Sequence, residues 1–166
     1  MIRRLTPRDL EAYRKLWLEG LRLFPDAFLL TESEARLVSD ATLTRALAAG
    51  HHWGAEQDGT VVAIATLRRA GPHRLQHTAD IGPFYVQPAA QGRGLGRQLL
   101  DAMLASAREE GLLQVELCVD AENKRAQQMY RNAGFEQFGR RPRSVMIDNT
   151  PRDDLLMLCK LDDATP

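Results

Sequence analysis

Gln91-Gly92-Arg93-Gly94-Leu95-Gly96 sets three glycines at alternating positions between a β-like run and an amphipathic helix. Glycines so spaced let the backbone turn sharply and approach a ligand with no Cβ in the way. The helix expected from about Leu95 leaves its first N–H groups unpaired and directs a partial positive charge at the turn. Such a turn suits an anion, above all a diphosphate. A P-loop would close on Gly-Lys-Ser/Thr, whereas Gly96 is followed by Arg97-Gln98. A dinucleotide turn would need Gly or Ala at position 99, which is Leu99, and five residues, Gln87 to Gln91, separate the apolar run from the first glycine. Both alternatives fail on those details.

The remainder of the chain reads as one ordinary domain of 166 residues, 1–166, large enough to bury a core. Its formal net charge of +0 argues against nucleic acid or an anionic membrane as a bulk partner. No apolar run approaches the roughly 20 residues of a membrane span, and Met1-Ile2-Arg3-Arg4 leads into no signal-peptide core. Cys118 and Cys159 give no disulfide framework, so a cytoplasmic location is the default.

Thr6-Pro7-Arg8-Asp9 is a helix start, with Leu10, Tyr13, Leu16, Trp17 and Leu21 following at helical spacing up to Phe24-Pro25. Ile2–Leu5 reads as a strand before it, and 32–39 and 41–49 as two shorter helices, with Ser39 or Asp40 capping the second. Asp58-Gly59 joins strands 52–57 and 60–68 in a tight hairpin. After a polar loop, Ala70 to Gln76, a strand runs from His77 or Thr78 to Val86. A helix over 95–110, a strand over 113–119, a helix over 124–133 and strands over 135–141 and 155–161 complete the order. This is an α/β pattern of the α+β type, with a mixed, largely antiparallel sheet of six to seven strands flanked by helices. The helical crossover at 95–110 predicts that strands 78–86 and 113–119 are parallel neighbours. Pro83 inside the first of them cannot donate to a central ladder, which suggests a bulge that frees backbone groups from Phe84 to Val86, or else an edge strand.

Two blocks carry a family resemblance. Phe84-Tyr85-Val86-Gln87-Pro88, Gln91-Gly92-Arg93-Gly94-Leu95-Gly96 and Leu99-Leu100 resemble the acetyl-coenzyme A signature of the GNAT acetyltransferase superfamily. Val119-Asp120-Ala121-Glu122-Asn123, Ala126, Tyr130 and Gly134-Phe135 resemble that family's second cofactor helix. With their flanks they cover 77–138, in the family's order. The resemblance implies a GNAT fold whose two central parallel strands splay around the pantetheine arm. It implies acetyl-CoA as acyl-donor cosubstrate, held by Phe84, Tyr85, Val86, Gln91, Gly92, Arg93, Gly94, Leu95, Gly96, Arg97, Asn123 and Tyr130. Arg93 and Arg97 read equally as surface helix arginines. Asn123 would also cap the helix that follows it.

The chemistry implied is attack of a neutral amine on a thioester. A lysine-like amine, with a pKa of about 10.4, is neutral on the order of once in a thousand molecules at pH 7. That costs roughly 4–5 kcal/mol of barrier, so a base or a water relay is useful. By resemblance Tyr130 takes the place of the general acid facing the coenzyme sulfur; a packed core aromatic is the plainer reading. For the base the candidates are His77, Asp80 and Glu116. Alternation places Glu116 and Cys118 on one face and Val115, Leu117 and Val119 on the other. Glu116 suits a structural ion pair as well as a base, and the family's usual carboxylate position is occupied by Cys118, expected as a buried strand cysteine. His51-His52 lacks ligand-like spacing, so no metal is expected.

The function expected is N-acetyl transfer from acetyl-CoA to a primary amine by direct transfer in a ternary complex. The partner would be a small-molecule or peptide amine, without nucleic acid or membrane, and an exposed final strand would support a homodimer. The alternatives are a non-catalytic acyl-CoA sensor, or an enzyme for O-acylation or longer acyl chains.

Overall fold

The computed structural model describes residues 1–69 and 71–162, so Ala70, the first residue of the expected polar loop, lies outside the described residues. The chain runs β1 (Ile2–Arg4), α1 (Leu10–Leu23), α2 (Glu32–Arg36), α3 (Asp40–Ala48), β2 (His52–Gln57), β3 (Thr60–Arg69), β4 (Thr78–Val86), α4 (Leu95–Glu109), β5 (Gln114–Asp120), α5 (Lys124–Asn132), β6 (Glu136–Ile147) and β7 (Thr150–Lys160). Among the described residues the strands form one seven-stranded mixed sheet in the order β1-β2-β3-β4-β5-β7-β6, with helices flanking it. The chain groups into two compact units: Met1–Leu67 with Gly82–Leu99, and Arg68–Ile81 with the described residues from Leu100 onward.

In the first unit α1 is preceded by a short 3-10 turn, Pro7–Asp9, in which the Thr6 N–H donates to the Asp9 carboxylate at 2.8 Å. Tyr13, Leu16, Trp17, Gly20 and Leu21 form its buried face, at the spacing of one helix stripe. Tyr13, Leu16, Trp17 and Leu21 join Leu5, Phe28, Leu43, Leu47, Val61, Ile64 and Tyr85 in one apolar cluster. Gly20 lets α1 come close: a Cβ there would stand 2.7 Å from the Phe28 ring and 3.0 Å from the Tyr85 ring. The helix expected over 32–39 ends at Arg36, because Ser39 caps the next one, accepting from the Thr42 N–H at 3.2 Å. β2 and β3 turn at Asp58 and Gly59, both in the left-handed region (φ 50° and 75°), as a two-residue hairpin requires.

In the second unit β4 opens with parallel pairing of Thr78–Asp80 to Gln114–Glu116, and the pairing of these two strands ends there. β5 pairs antiparallel with β7 along its whole length, and β7 with β6. Val115, Leu117 and Val119 are buried with Leu155, Met157 and Cys159, while Glu116 and Cys118 alternate onto the opposite face. The β6–β7 hairpin is longer than the expected strands 135–141 and 155–161. It closes at Asp148-Asn149, both with positive φ (47° and 62°), and pairs Ile147 with Thr150. Register slips between Arg141 and Val145, around Pro142 and an Arg143 at φ 51°. Arginines and a proline hide the strand's alternation from the sequence.

Candidate active site

β4 delivers the chain to the glycine turn through a pinned strand end. The Gln87 N–H donates to the Val62 carbonyl at 2.9 Å, Pro88–Ala90 makes one 3-10 turn, and Gln91 Nε2 donates back to the Val86 carbonyl at 2.9 Å. Gly92 (φ 77°) and Gly94 (φ 75°) both take a conformation that side chains disfavour. A Cβ on Gly92 would meet nothing within 4 Å, and on Gly94 only Gln98 Nε2 at 3.7 Å. The turn is therefore shaped by its backbone rather than by crowding, and its outer side is open. Gln98 donates to the Gly94 carbonyl at 3.0 Å. The first N–H groups of an α-helix point out of its N-terminus, here toward the glycine turn. Arg93 and Arg97 are exposed on the turn and on the first turn of α4. Open backbone, helix N-terminus and nearby cations fit a diphosphate.

Phe84 and Val86 are half-buried, whereas the Tyr85 side chain is buried in the core of its unit. Its hydroxyl donates to Glu19 Oε1 on α1 at 2.6 Å, and Gln87 Nε2 lies 3.3 and 3.2 Å from the two oxygens of the same carboxylate. Burial, then the Glu19 carboxylate, pushes the Tyr85 phenol well above its ordinary value. What Tyr85 offers a ligand is its backbone.

The second unit carries the other candidates. Asn123 caps α5, its side chain accepting from the Ala126 N–H at 3.0 Å. The turn before it is held by Asp120, which is buried. Its carboxylate accepts from the Glu122 N–H at 2.6 Å and from Arg152 on β7 through Nε (3.0 Å) and Nη2 (2.9 Å). Buried Gln127 donates to the carbonyls of Asp120 (3.0 Å) and Ala121 (2.9 Å). Tyr130, one turn further along, is buried beside Phe135 with ring centroids 5.7 Å apart. Burial pushes its phenol well above the ordinary range, so it keeps its proton at neutral pH.

Asp80 and Glu116 are register partners. Gln114 Nε2 donates to Glu116 Oε1 at 2.5 Å. Asp80 is exposed, yet partial desolvation, then Glu116, raises its carboxyl, against a lowering pull from Arg68. Cys118, expected to be buried, is exposed, because its face of β5 is the one opposite the apolar core. Desolvation lifts its thiol nonetheless, with Arg141 pulling the other way, which disfavours the nucleophilic thiolate. His77 is exposed just before β4, and its carbonyl accepts from the Leu113 N–H at 2.8 Å. The structure thus brings Asp80 and Glu116 together and leaves His77 outside their paired segment. Glu19, Gln127 and Arg152 were not foreseen. Gly20 inside an apolar helix face is a signal that α1 approaches another backbone closely; nothing local announces Arg152.

The sequence profile described as "Acetyltransferase (GNAT) family" matches residues 12–135. The chain is 39% identical over 130 residues to the N-alpha-acetyltransferase RimI of Mycobacterium tuberculosis, covering 74% of this chain and 80% of that protein. It is 40% identical over 83 residues to a mycothiol acetyltransferase of Beutenbergia cavernae, a match that covers 50% of this chain and only 27% of that protein's length. In fold it resembles the ribosomal-protein-alanine N-acetyltransferase of Brucella melitensis (TM-score 0.85, 24% identity, 97% and 99% of the two chains). It also resembles a GNAT superfamily phosphinothricin acetyltransferase of Sinorhizobium meliloti, solved with AcCoA (TM-score 0.82, 19% identity, 99% and 90%).

Proposed function

The chain belongs to the acetyltransferase (GNAT) family, and from that premise we propose that it moves an acetyl group from acetyl-CoA to a primary amine by direct transfer. The observation that carries the donor assignment is the glycine turn, with Gly92 and Gly94 at positive φ and open space outside them. Backbone N–H groups of Gly92–Gly96, with Arg93 and Arg97, hold the diphosphate; the Gln91 N–H is already given to the Pro88 carbonyl at 3.2 Å. Backbone groups of Phe84, Tyr85 and Val86 and the amide of Asn123 meet the pantetheine arm.

The donor supplies an activated acyl carbon. In the transfer the amine nitrogen bonds to that carbon, the C–S bond breaks, and the sulfur leaves with its electron pair. Asp80 or Glu116, directly or through water, takes the proton that the nitrogen must lose. The raised carboxyl of Asp80 supports this role, since a base nearer neutrality holds a proton better. Tyr130, at the position that resembles the family's general acid, gives its proton to the departing sulfur.

The relative named for N-alpha acetylation makes the α-amine of a peptide the first acceptor to try. The test is thiol release with acetyl-CoA against peptides, amino acids, polyamines and aminoglycosides, after calorimetry with the donor alone. Saturable, amine-dependent release establishes the activity and names the acceptor. Donor binding without release from any acceptor would favour a sensor, and absence of binding would overturn the proposal.

A further inference from the structure

We propose that Glu19 is a positioning residue for the acyl donor, holding the end of β4 in the conformation that presents the glycine turn. The inference rests on the donor-binding reading above. Glu19 lies on α1, 66 residues before Tyr85 and 68 before Gln87, yet its half-buried carboxylate accepts from both. The neighbouring Gly20 brings α1 near enough for that: a Cβ there would press on the Tyr85 ring at 3.0 Å. A carboxylate at such a place costs desolvation, and an apolar side chain would pack α1 on β4 without it. What the carboxylate adds is direction. Its two oxygens fix the Tyr85 hydroxyl on one side of Val86 and the Gln87 amide on the other.

Val86 is the residue whose carbonyl receives Gln91 Nε2, so the strand end and the first residue of the glycine turn are tied at one point. Gln87 also starts the 3-10 turn, its carbonyl accepting from the Ala90 N–H at 2.9 Å. Rotation of Tyr85 or Gln87 would be passed through Val86 and Pro88–Ala90, and through the Gln91 N–H held by the Pro88 carbonyl, to the backbone N–H groups of Gly92–Gly96. Glu19 acts through Tyr85 and Gln87, not on donor or acceptor.

The test uses Glu19→Gln, Gln87→Glu and the double swap, in the full chain. The first leaves two amides facing, the second two carboxylates, and the double restores an amide against a carboxylate. Each single variant should weaken acetyl-CoA binding in calorimetry by roughly three- to tenfold. KM for acetyl-CoA should rise by more than kcat falls. Amide hydrogen exchange over 87–96 should speed up. The double variant should return binding to within about twofold of the parent and slow the exchange again. Equal donor affinity in parent and singles overturns the proposal. So does a loss that the double fails to recover while its melting temperature matches the parent. A parent that binds no acetyl-CoA overturns the functional reading instead, and the exchange over 87–96 then still decides whether Glu19 orders the turn.

Discussion

Asp80 and Glu116 occupy partner positions across the parallel strands β4 and β5, so two carboxylates share one edge of the paired segment. Desolvation, and after it Glu116, raises the Asp80 carboxyl from its ordinary value, against a lowering pull from Arg68. Because its folded value exceeds its unfolded one, ionising Asp80 costs stability as pH rises through that window. Glu116→Gln removes the like charge and should move the Asp80 titration down, though not fully, since desolvation remains. Carboxyl NMR titration of Asp80 reads this directly. The ascending limb of the pH–rate profile should follow to lower pH if Asp80 is the base, and Asp80→Asn should then cost about a hundredfold or more in kcat. A limb that does not move in Glu116→Gln, with turnover kept in Asp80→Asn, would remove Asp80 from the role, and loss of turnover in Glu116→Gln would give it to Glu116.

Gly94→Val should abolish or strongly weaken acetyl-CoA binding. Its φ of 75° costs a side chain about 1–2 kcal/mol, and a β-branched one more. The new atoms would project from the open side of the turn. Calorimetry should show at least a tenfold weaker Kd. Unchanged affinity would remove the turn from the diphosphate assignment.

Tyr130→Phe separates chemistry from binding. Loss of a proton donor should lower kcat by about a hundredfold at neutral pH, while Kd for acetyl-CoA stays within about twofold. Stopped-flow or steady-state thiol release, run across pH, makes the comparison. Equal turnover throughout would leave Tyr130 as a packing aromatic against Phe135.

Arg152→Ala should destabilise the fold by about 2–4 kcal/mol, because it strands the buried Asp120 carboxylate with one backbone N–H. Urea unfolding measures the loss. The double variant Asp120→Asn with Arg152→Ala should cost less than the sum of the two singles, since the charge that needed the arginine is gone.

The sequence was legible where structure depends on neighbours along the chain. Asp58-Gly59 marked its hairpin, Ser39 or Asp40 and Asn123 their caps, and the glycines of 91–96 their turn, because each rule involves residues within about four positions. The apolar stripes of α1 and the alternation of β5 likewise told which faces would be buried. Legibility ended in the β6–β7 hairpin, where arginines and Pro142 replace the period-two pattern. It failed also at Cys118, where the alternation of β5 was read but not which of its faces lacks cover.

By itself the sequence determined a mixed sheet, a parallel pair around a helical crossover, and a turn built from glycine backbone. Tertiary structure alone decided that Tyr85 turns its hydroxyl to Glu19, that Arg152 neutralises Asp120, and that Asp80 stands beside Glu116. Those partners are 66, 32 and 36 residues apart in the sequence. Local preference carries no information about such pairs; they are selected when burial removes water and each polar group must find its partner across the fold.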